Sequence, residues 1–205
     1  MMSMVRSASR PRAASSRLVA AAIILMSCAS LAFAQQQSPP DAQSSAPTAA
    51  TPADEAHRKG DEAYEKKDYA EAMRWYRTAA DQGDAQSKID VGDLYHQGQG
   101  VPQDDSEALR WYRKAAEQGN DVAQDNVGFF YLSGWGVAQD YAEAMRWLRK
   151  AADQENEVAQ RNIGMMYLQG LGVRKDRHEA IRWFHKAAEK GDEDAIAALK
   201  YLGVK

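Results

Sequence analysis

Four histidines, His57, His96, His178 and His185, are the residues of this sequence best suited to proton transfer or metal ligation. His178 and His185 stand seven apart and can share a helical face, but no cysteine or carboxylate lies at ligand spacing around them, and there is no H-E-x-x-H. They read as solvated or capping groups. A Gly-x-Gly recurs at 98–100, 134–136 and 170–172, the residue type that cradles phosphates. It lacks a third glycine and follows a helical pattern rather than a strand, so it reads as a turn. No G-x-S-x-G is present, and no serine, histidine and aspartate share a recognisable context. The single cysteine, Cys28, excludes an intramolecular disulfide and a multi-cysteine metal centre. The expectation is therefore no enzyme, no cofactor and no metal.

What is left are binding features. Asp90, Asn126 and Asn162 form a polar ladder at intervals of 36. Trp135 stands where Gln99 and Leu171 stand at the same interval, so it has no periodic counterpart. A lone tryptophan at a loop tip is either an exposed hot spot or a side chain folded back on its own scaffold.

The elements that position these residues repeat. Trp75, Trp111, Trp147 and Trp183 are 36 apart, as are Asp68, Asp104, Asp140 and Asp176, and Ala72, Ala108, Ala144 and Ala180. A second set recurs three times: Gly92/128/164, Tyr95/131/167, Gly98/134/170, Gly100/136/172 and Val101/137/173. Each unit reads as two antiparallel helices. The first, for example 84–97, carries Ser87, Val91, Gly92 and Tyr95 on one face and stops at a glycine. The second starts at an aspartate with glutamate three residues on (Asp68/Glu71, Asp104/Glu107, Asp140/Glu143, Asp176/Glu179), a capping-box pattern. It ends at Gly83, Gly119 and Gly191; Glu155 replaces that glycine in the third unit, and its terminus is expected to fray.

The 205 residues have a net charge of −3, unevenly spread. Residues 1–34 hold four arginines and no acid, which leaves 22 basic against 29 acidic groups beyond them. So acidic a remainder without a basic stripe argues against nucleic acid as a partner. A basic lead, the apolar run Leu18–Met26 and Ala32-Phe33-Ala34 predict a signal peptide over 1–34, cleaved before Gln35, and a periplasmic or secreted product. Two alternatives stay open. The stretch from Leu18 to Ala34 is 17 residues, at the short limit for a membrane anchor, and Leu25-Met26-Ser27-Cys28 resembles a bacterial lipoprotein signal, which would tie the protein to a membrane through Cys28. Residues 35–52, rich in Pro, Ser, Ala and Gln, predict a disordered linker to a repeat domain over 53–205.

The pattern A-x-x-x-[LIV]-G-x-x-Y-x-x-G-x-G-V-x-x-D-x-x-E-A-x-x-W-x-x-K-A-A-[DE]-x-G resembles the Sel1-like repeat, a relative of the tetratricopeptide repeat. Residues 84–119, 120–155 and 156–191 match it with minor departures at Ser87 and Glu155. The leading unit 54–83 resembles a tetratricopeptide unit through Gly60, Tyr69, Ala72, Tyr76 and Ala79, and 192–202 is a closing helix. The resemblance implies an all-α fold, an α/α superhelical solenoid whose first helices line a concave face. Some relatives are reported as β-lactamases, but these resemble a subset with paired cysteines, which this chain lacks.

Mapped through the same relatives, the groove comprises Gln86, Ile89, Asp93 and His96, then Val122, Asp125, Phe129 and Leu132, then Val158, Arg161, Met165 and Leu168. Relatives also imply that an asparagine near the ladder position bonds the backbone of a docked peptide; the other reading is that it satisfies a neighbouring backbone group. A Phe/Met stripe is usually core, but Phe129 and Met165 lie off the Trp–Ala–Gly register, so they read either as core or as surface residues that contact a ligand. The candidate partner-binding set is thus Asp90, Asp93, Val122, Asn126, Phe129, Trp135, Val158, Arg161, Asn162 and Met165. The implied function is an exported scaffold or adaptor for a protein or peptide, with a periplasmic inhibitor of a sensor or enzyme as alternative and an envelope hydrolase further off.

Overall fold

The computed structural model describes residues 50–204; the expected signal peptide, the Cys28 alternative and most of the expected linker lie outside them. Among the described residues the elements are all helices: α1 (Pro52–Glu65), α2 (Tyr69–Asp81), α3 (Ala85–Gln97), α4 (Asp105–Ala116), α5 (Asp121–Ser133), α6 (Tyr141–Ala152), α7 (Glu157–Gln169), α8 (Arg177–Glu189) and α9 (Glu193–Tyr201). Consecutive helices pair as hairpins, α1 with α2 through α7 with α8, and each hairpin packs on the next, with α9 against α8. Each pair buries its face only against its neighbours, so the core runs along the stack.

The second helices start where the aspartates are. Asp68, Asp104, Asp140 and Asp176 each accept a hydrogen bond from the backbone N–H of the glutamate three residues on, at 3.1, 3.0, 2.9 and 3.1 Å. The expected capping box is not closed. The backbone N–H of each aspartate bonds instead to a carbonyl of the preceding helix, that of Ala63, Tyr95, Tyr131 or Tyr167. The glutamates are freed for other work: Glu71 and Glu143 accept from the indole N–H of Trp75 and Trp147 at 2.7 and 2.8 Å, and all four pair with the arginine three residues on. The Trp111 indole N–H is buried without a partner.

The Gly-x-Gly segments are turns, as expected, and the two glycines do different things. Gly98, Gly134 and Gly170 cap the first helices in the left-handed conformation, with φ of 66, 76 and 77°. The second glycine lets the loop press on the second helix of the preceding repeat: a Cβ on Gly100 would come within 2.5 Å of the Tyr69 carbonyl carbon.

The terminus at Glu155 is not frayed. Helix α6 ends at Ala152 just as α4 ends at Ala116, and Glu155 takes the left-handed conformation itself at φ 66°. Its N–H bonds to the Ala152 carbonyl at 3.0 Å, and its carboxylate pairs with Lys190. Between repeats, Gln118 and Gln154 donate to the carbonyls of Gly83 and Gly119, both at 3.0 Å.

Candidate face of the first helices

Helices α1, α3, α5 and α7 are bridged in sequence by side chains, so they form one face of the stack. His57 on α1 meets Ser87 Oγ on α3 at 2.8 Å; His96 on α3 packs against Phe130 on α5 at 5.2 Å; Asn162 on α7 donates to Asp125 on α5 at 2.9 Å. Gly60, Gly92, Gly128 and Gly164 on these helices admit the large side chains Tyr76, Tyr112, Leu148 and Phe184 of their partners.

Those four partners decide what the face carries. Tyr76 and Tyr112 have hydroxyls, which donate to Asp61 at 2.9 Å and Asp93 at 2.6 Å. Leu148 and Phe184 have none, and the residues at the Asp93 position in their repeats are Phe129 and Met165. The face is therefore acidic over α1 and α3 and apolar over α5 and α7.

The structure changes the expected role of several side chains. Phe129 is not on the surface: it is 6% exposed, edge-on to Trp135 at 5.2 Å, because the loop after α5 folds back over it. Trp135 stacks on His96 at 4.8 Å and meets Phe130 at 5.7 Å, so of its two readings the folded-back one is seen. Asn126 and Asn162 are buried, and the Asn162 amide is engaged by Asp125. Arg161, also buried, donates to Asp192 at 2.6 Å and lies 3.2 Å from Asp194. Asn162 and Arg161 thus bridge helices rather than face solvent. Met165 is half-buried beside Phe184 and Leu199, Val158 is half-buried, and Val122 is 45% exposed. Asp90 and Asp93 are largely enclosed, with Asp90 Oδ1 accepting from Gln86 at 3.2 Å.

Two of the histidines, expected to be solvated or capping, lie instead beside carboxylates. His57 sits among Asp61, Asp90 and Asp84, at 3.4, 3.4 and 3.8 Å, and His96 Nδ1 is 2.7 Å from Asp105. Sequence reading missed His57 and Asp61 as parts of one neighbourhood, since the other partners, Asp90, Asp84 and Tyr76, lie on other elements. The available sign was the change from Tyr76 and Tyr112 to Leu148 and Phe184 along the repeats.

Burial sets the electrostatics. It pushes the Asp93 carboxyl up to about 6, against the Tyr112 hydrogen bond and His96, which lower it. Asp125 is likewise pushed up to about 6 by burial, against the Asn162 hydrogen bond and Arg161. Asp90 is raised well above the ordinary carboxylate range, first by burial and then by the charge of Asp93. Among the described residues no group of three or more His, Cys, Asp or Glu is arranged to hold a metal ion, and no helix is long and apolar enough to cross a membrane.

No curated protein matches this sequence. Among solved structures, a protective antigen present in uropathogenic Escherichia coli strains, displaying an SLR fold, is 34% identical with a TM-score of 0.67; the match covers 73% of this chain and 33% of that one. A Sel1 repeat protein from Oxalobacter formigenes is 37% identical with a TM-score of 0.65, covering 73% of this chain and 63% of its own. This chain thus spans about a third of the first protein and under two thirds of the second. The Sel1 repeat model matches residues 53–84, 85–120, 121–156 and 158–192, so the leading unit, which resembled a tetratricopeptide unit, also matches as a Sel1 repeat. With four such repeats spanning its helical stack, the chain belongs to the Sel1 repeat family.

Proposed function

We propose that this protein is an exported adaptor that holds a protein or peptide segment along the face of its first helices. Sel1 repeat proteins mediate protein–protein interaction, and stacked repeats offer an extended surface. The observation that carries the reading is the set of partly open apolar side chains on α5 and α7: Val122 is 45% exposed, and Leu132, Val158, Met165 and Leu168 are half-buried. Export rests on the basic lead, the apolar run Leu18–Met26 and Ala32-Phe33-Ala34. The product is periplasmic or secreted with a start at Gln35; a lipid-anchored start at Cys28 is the competing product.

The test is capture from envelope extract with the exported protein as bait, wild type beside Val122→Lys with Met165→Lys. The double variant should retain its helical content and lose the captured partner by at least about tenfold, or 1.4 kcal/mol. Undiminished capture would place the interaction on another surface. Activity of the captured partner, bound against free, separates an adaptor from an inhibitor, and the intact mass separates Gln35 from acylated Cys28.

A further inference from the structure

Helix α9 begins like the first helix of a repeat. Asp192, Ala195 and Leu199 stand 36 residues after Asn156, Ala159 and Ile163. Asp192 caps α9 by accepting from the Ala195 N–H at 2.6 Å, as Asn156 caps α7 by accepting from Ala159 at 2.8 Å. Ala195 and Leu199 form its buried side, in one cluster with Ala180, Phe184 and Ala187 of α8. The opposite side departs from the repeat in two places. Lys200 stands at the position of Gly128 and Gly164, where a Cβ would come within 2.7 Å of Leu148 or Phe184 of the second helix. A second helix packed as in the other repeats therefore has no room on α9.

Ile196 is the second departure. It stands at the position of Lys88, Gln124 and Gln160, which are polar and buried; Lys88 and Gln124 bond there to Gln118 and Gln154 at 2.7 and 2.8 Å. At Ile196 both properties are reversed, for the side chain is apolar and 49% exposed. With Tyr201, 87% exposed, it makes two of the four large exposed hydrophobic side chains among the described residues, both on a helix of nine residues. The exposed stripe of α9 runs Glu193, Ile196, Ala197, Lys200 and Tyr201, at helical spacing. Asp194, the other acid of the first turn, is engaged 3.2 Å from Arg161.

The charges of this stripe are complementary to themselves. Glu193 and Lys200 lie equally far along the helix from the midpoint between Ile196 and Ala197. A twofold axis through that midpoint, with two such helices antiparallel, sets Glu193 of each copy against Lys200 of the other and Ile196 against Ala197. Parallel helices would instead set like charges together. We propose that α9 pairs antiparallel with α9 of a second copy of this chain, covering Ile196 and Tyr201 and forming two Glu193–Lys200 ion pairs. A contact built on two helices of nine residues belongs with the small, transient interfaces below about 1,200 Å², so the dimer is weak. The pairing uses no side chain of α5 or α7, and so stands apart from the adaptor reading.

Sedimentation velocity of the exported protein between about 10 μM and about 1 mM reads the association. Wild type should pass from monomer toward dimer and no further, because an isologous contact closes at two. Ile196→Asp, an exposed change, should weaken association at least about tenfold. Glu193→Lys and Lys200→Glu should each do the same, since either sets like charges together on both sides of the axis. An equimolar mixture of these two variants regains both ion pairs and should associate to within about threefold of wild type. No wild-type association at about 1 mM, species larger than a dimer, or unchanged association of the variants would overturn the proposal. So would a mixture that associates no better than its two components, which would leave the antiparallel register without support. The adaptor reading is judged separately by the Val122 and Met165 capture, which does not involve α9.

Discussion

The Tyr112 hydroxyl donates to Asp93 Oδ1 across 2.6 Å, from the second helix of a repeat to the first. Tyr76 and Asp61 repeat the arrangement at 2.9 Å, and where the ring position has no hydroxyl the acid is replaced by Phe129 or Met165. Ring and acid therefore belong together. Tyr112→Phe should leave Asp93 buried without its donor and cost about 1–3 kcal/mol at pH 7. Tyr112→Phe with Asp93→Met reproduces the Phe184 and Met165 pairing and should recover stability to within about 1 kcal/mol of wild type. Urea unfolding of the three proteins decides the matter; a double variant no better than the single one would show that the two residues act separately.

Phe129→Asp is expected to cost at least about 3 kcal/mol, because it removes a buried ring and puts a charge against Trp135. Val122→Asp on the same helix should cost less than about 1 kcal/mol, as a surface change does. Thermal or urea unfolding compares them, and similar losses would contradict the burial of Phe129.

Trp111 and Trp147 occupy the same repeat position, 6% and 9% exposed, each beneath a lysine ammonium, at 3.6 Å for Lys114 and 3.9 Å for Lys150. They differ in one bond: the Trp147 indole N–H reaches Glu143 at 2.8 Å, whereas that of Trp111 has no partner. Replacing each by phenylalanine removes similar apolar surface, so Trp147→Phe should cost about 1 kcal/mol more than Trp111→Phe. Equal losses in urea unfolding would mean that the Glu143 bond contributes nothing.

Asp125 gives a pH dependence with a definite sign. Its carboxyl is pushed up to about 6 by burial, above the value of 3.8 that it has when solvated. A raised acid stabilises the fold fully below its unfolded pKa, and that contribution is lost as pH rises through about 6. Its neighbours are Asn162 and Arg161, which favour the charged form, and Asp121 and Glu157, which oppose it. Asp125→Asn keeps an oxygen for the Asn162 amide and cannot ionise. It should gain on wild type between about pH 4 and 6, reaching about 2–3 kcal/mol by pH 7. Unfolding free energies across that range would reject this if the difference between the two proteins were flat.

Helix pairs, caps and turns were legible in the sequence because they recur: a residue that returns every 36 positions shows its own structural role. The face of the first helices was legible only in part. Phe129 reads as surface when its helix is taken alone, yet Trp135, a loop residue without a periodic counterpart, packs against it. Asp93 reads as exposed because it is charged, yet the Tyr112 hydroxyl from the other helix satisfies it. Glu155 reads as a weak terminus because glycine is expected there, yet its backbone accepts the left-handed turn and its side chain reaches Lys190. In each case the deciding contact comes from a different element, and spacing along one helix carries no trace of it.

The polar bonds between repeats also govern which units the chain can hold in tandem. Gln118 and Gln154 address a backbone carbonyl, which any neighbouring repeat supplies. The side-chain bonds are more selective. Asp125 needs an asparagine at the Asn162 position of the next unit, and residues 120–155 themselves carry Asn126 there. The same holds for the bond of Asn156 to Asp121, since Asn120 stands at the Asn156 position. A second copy of 120–155 placed after the first would therefore meet every donor and acceptor it requires. A second copy of 156–191 would not: Arg161 would face Asn156 of the copy instead of Asp192 and stay buried with its charge unanswered. Growth by duplication is thus open to the middle unit and closed to the last, a restriction on length that lies in three buried side chains rather than in the repeat pattern.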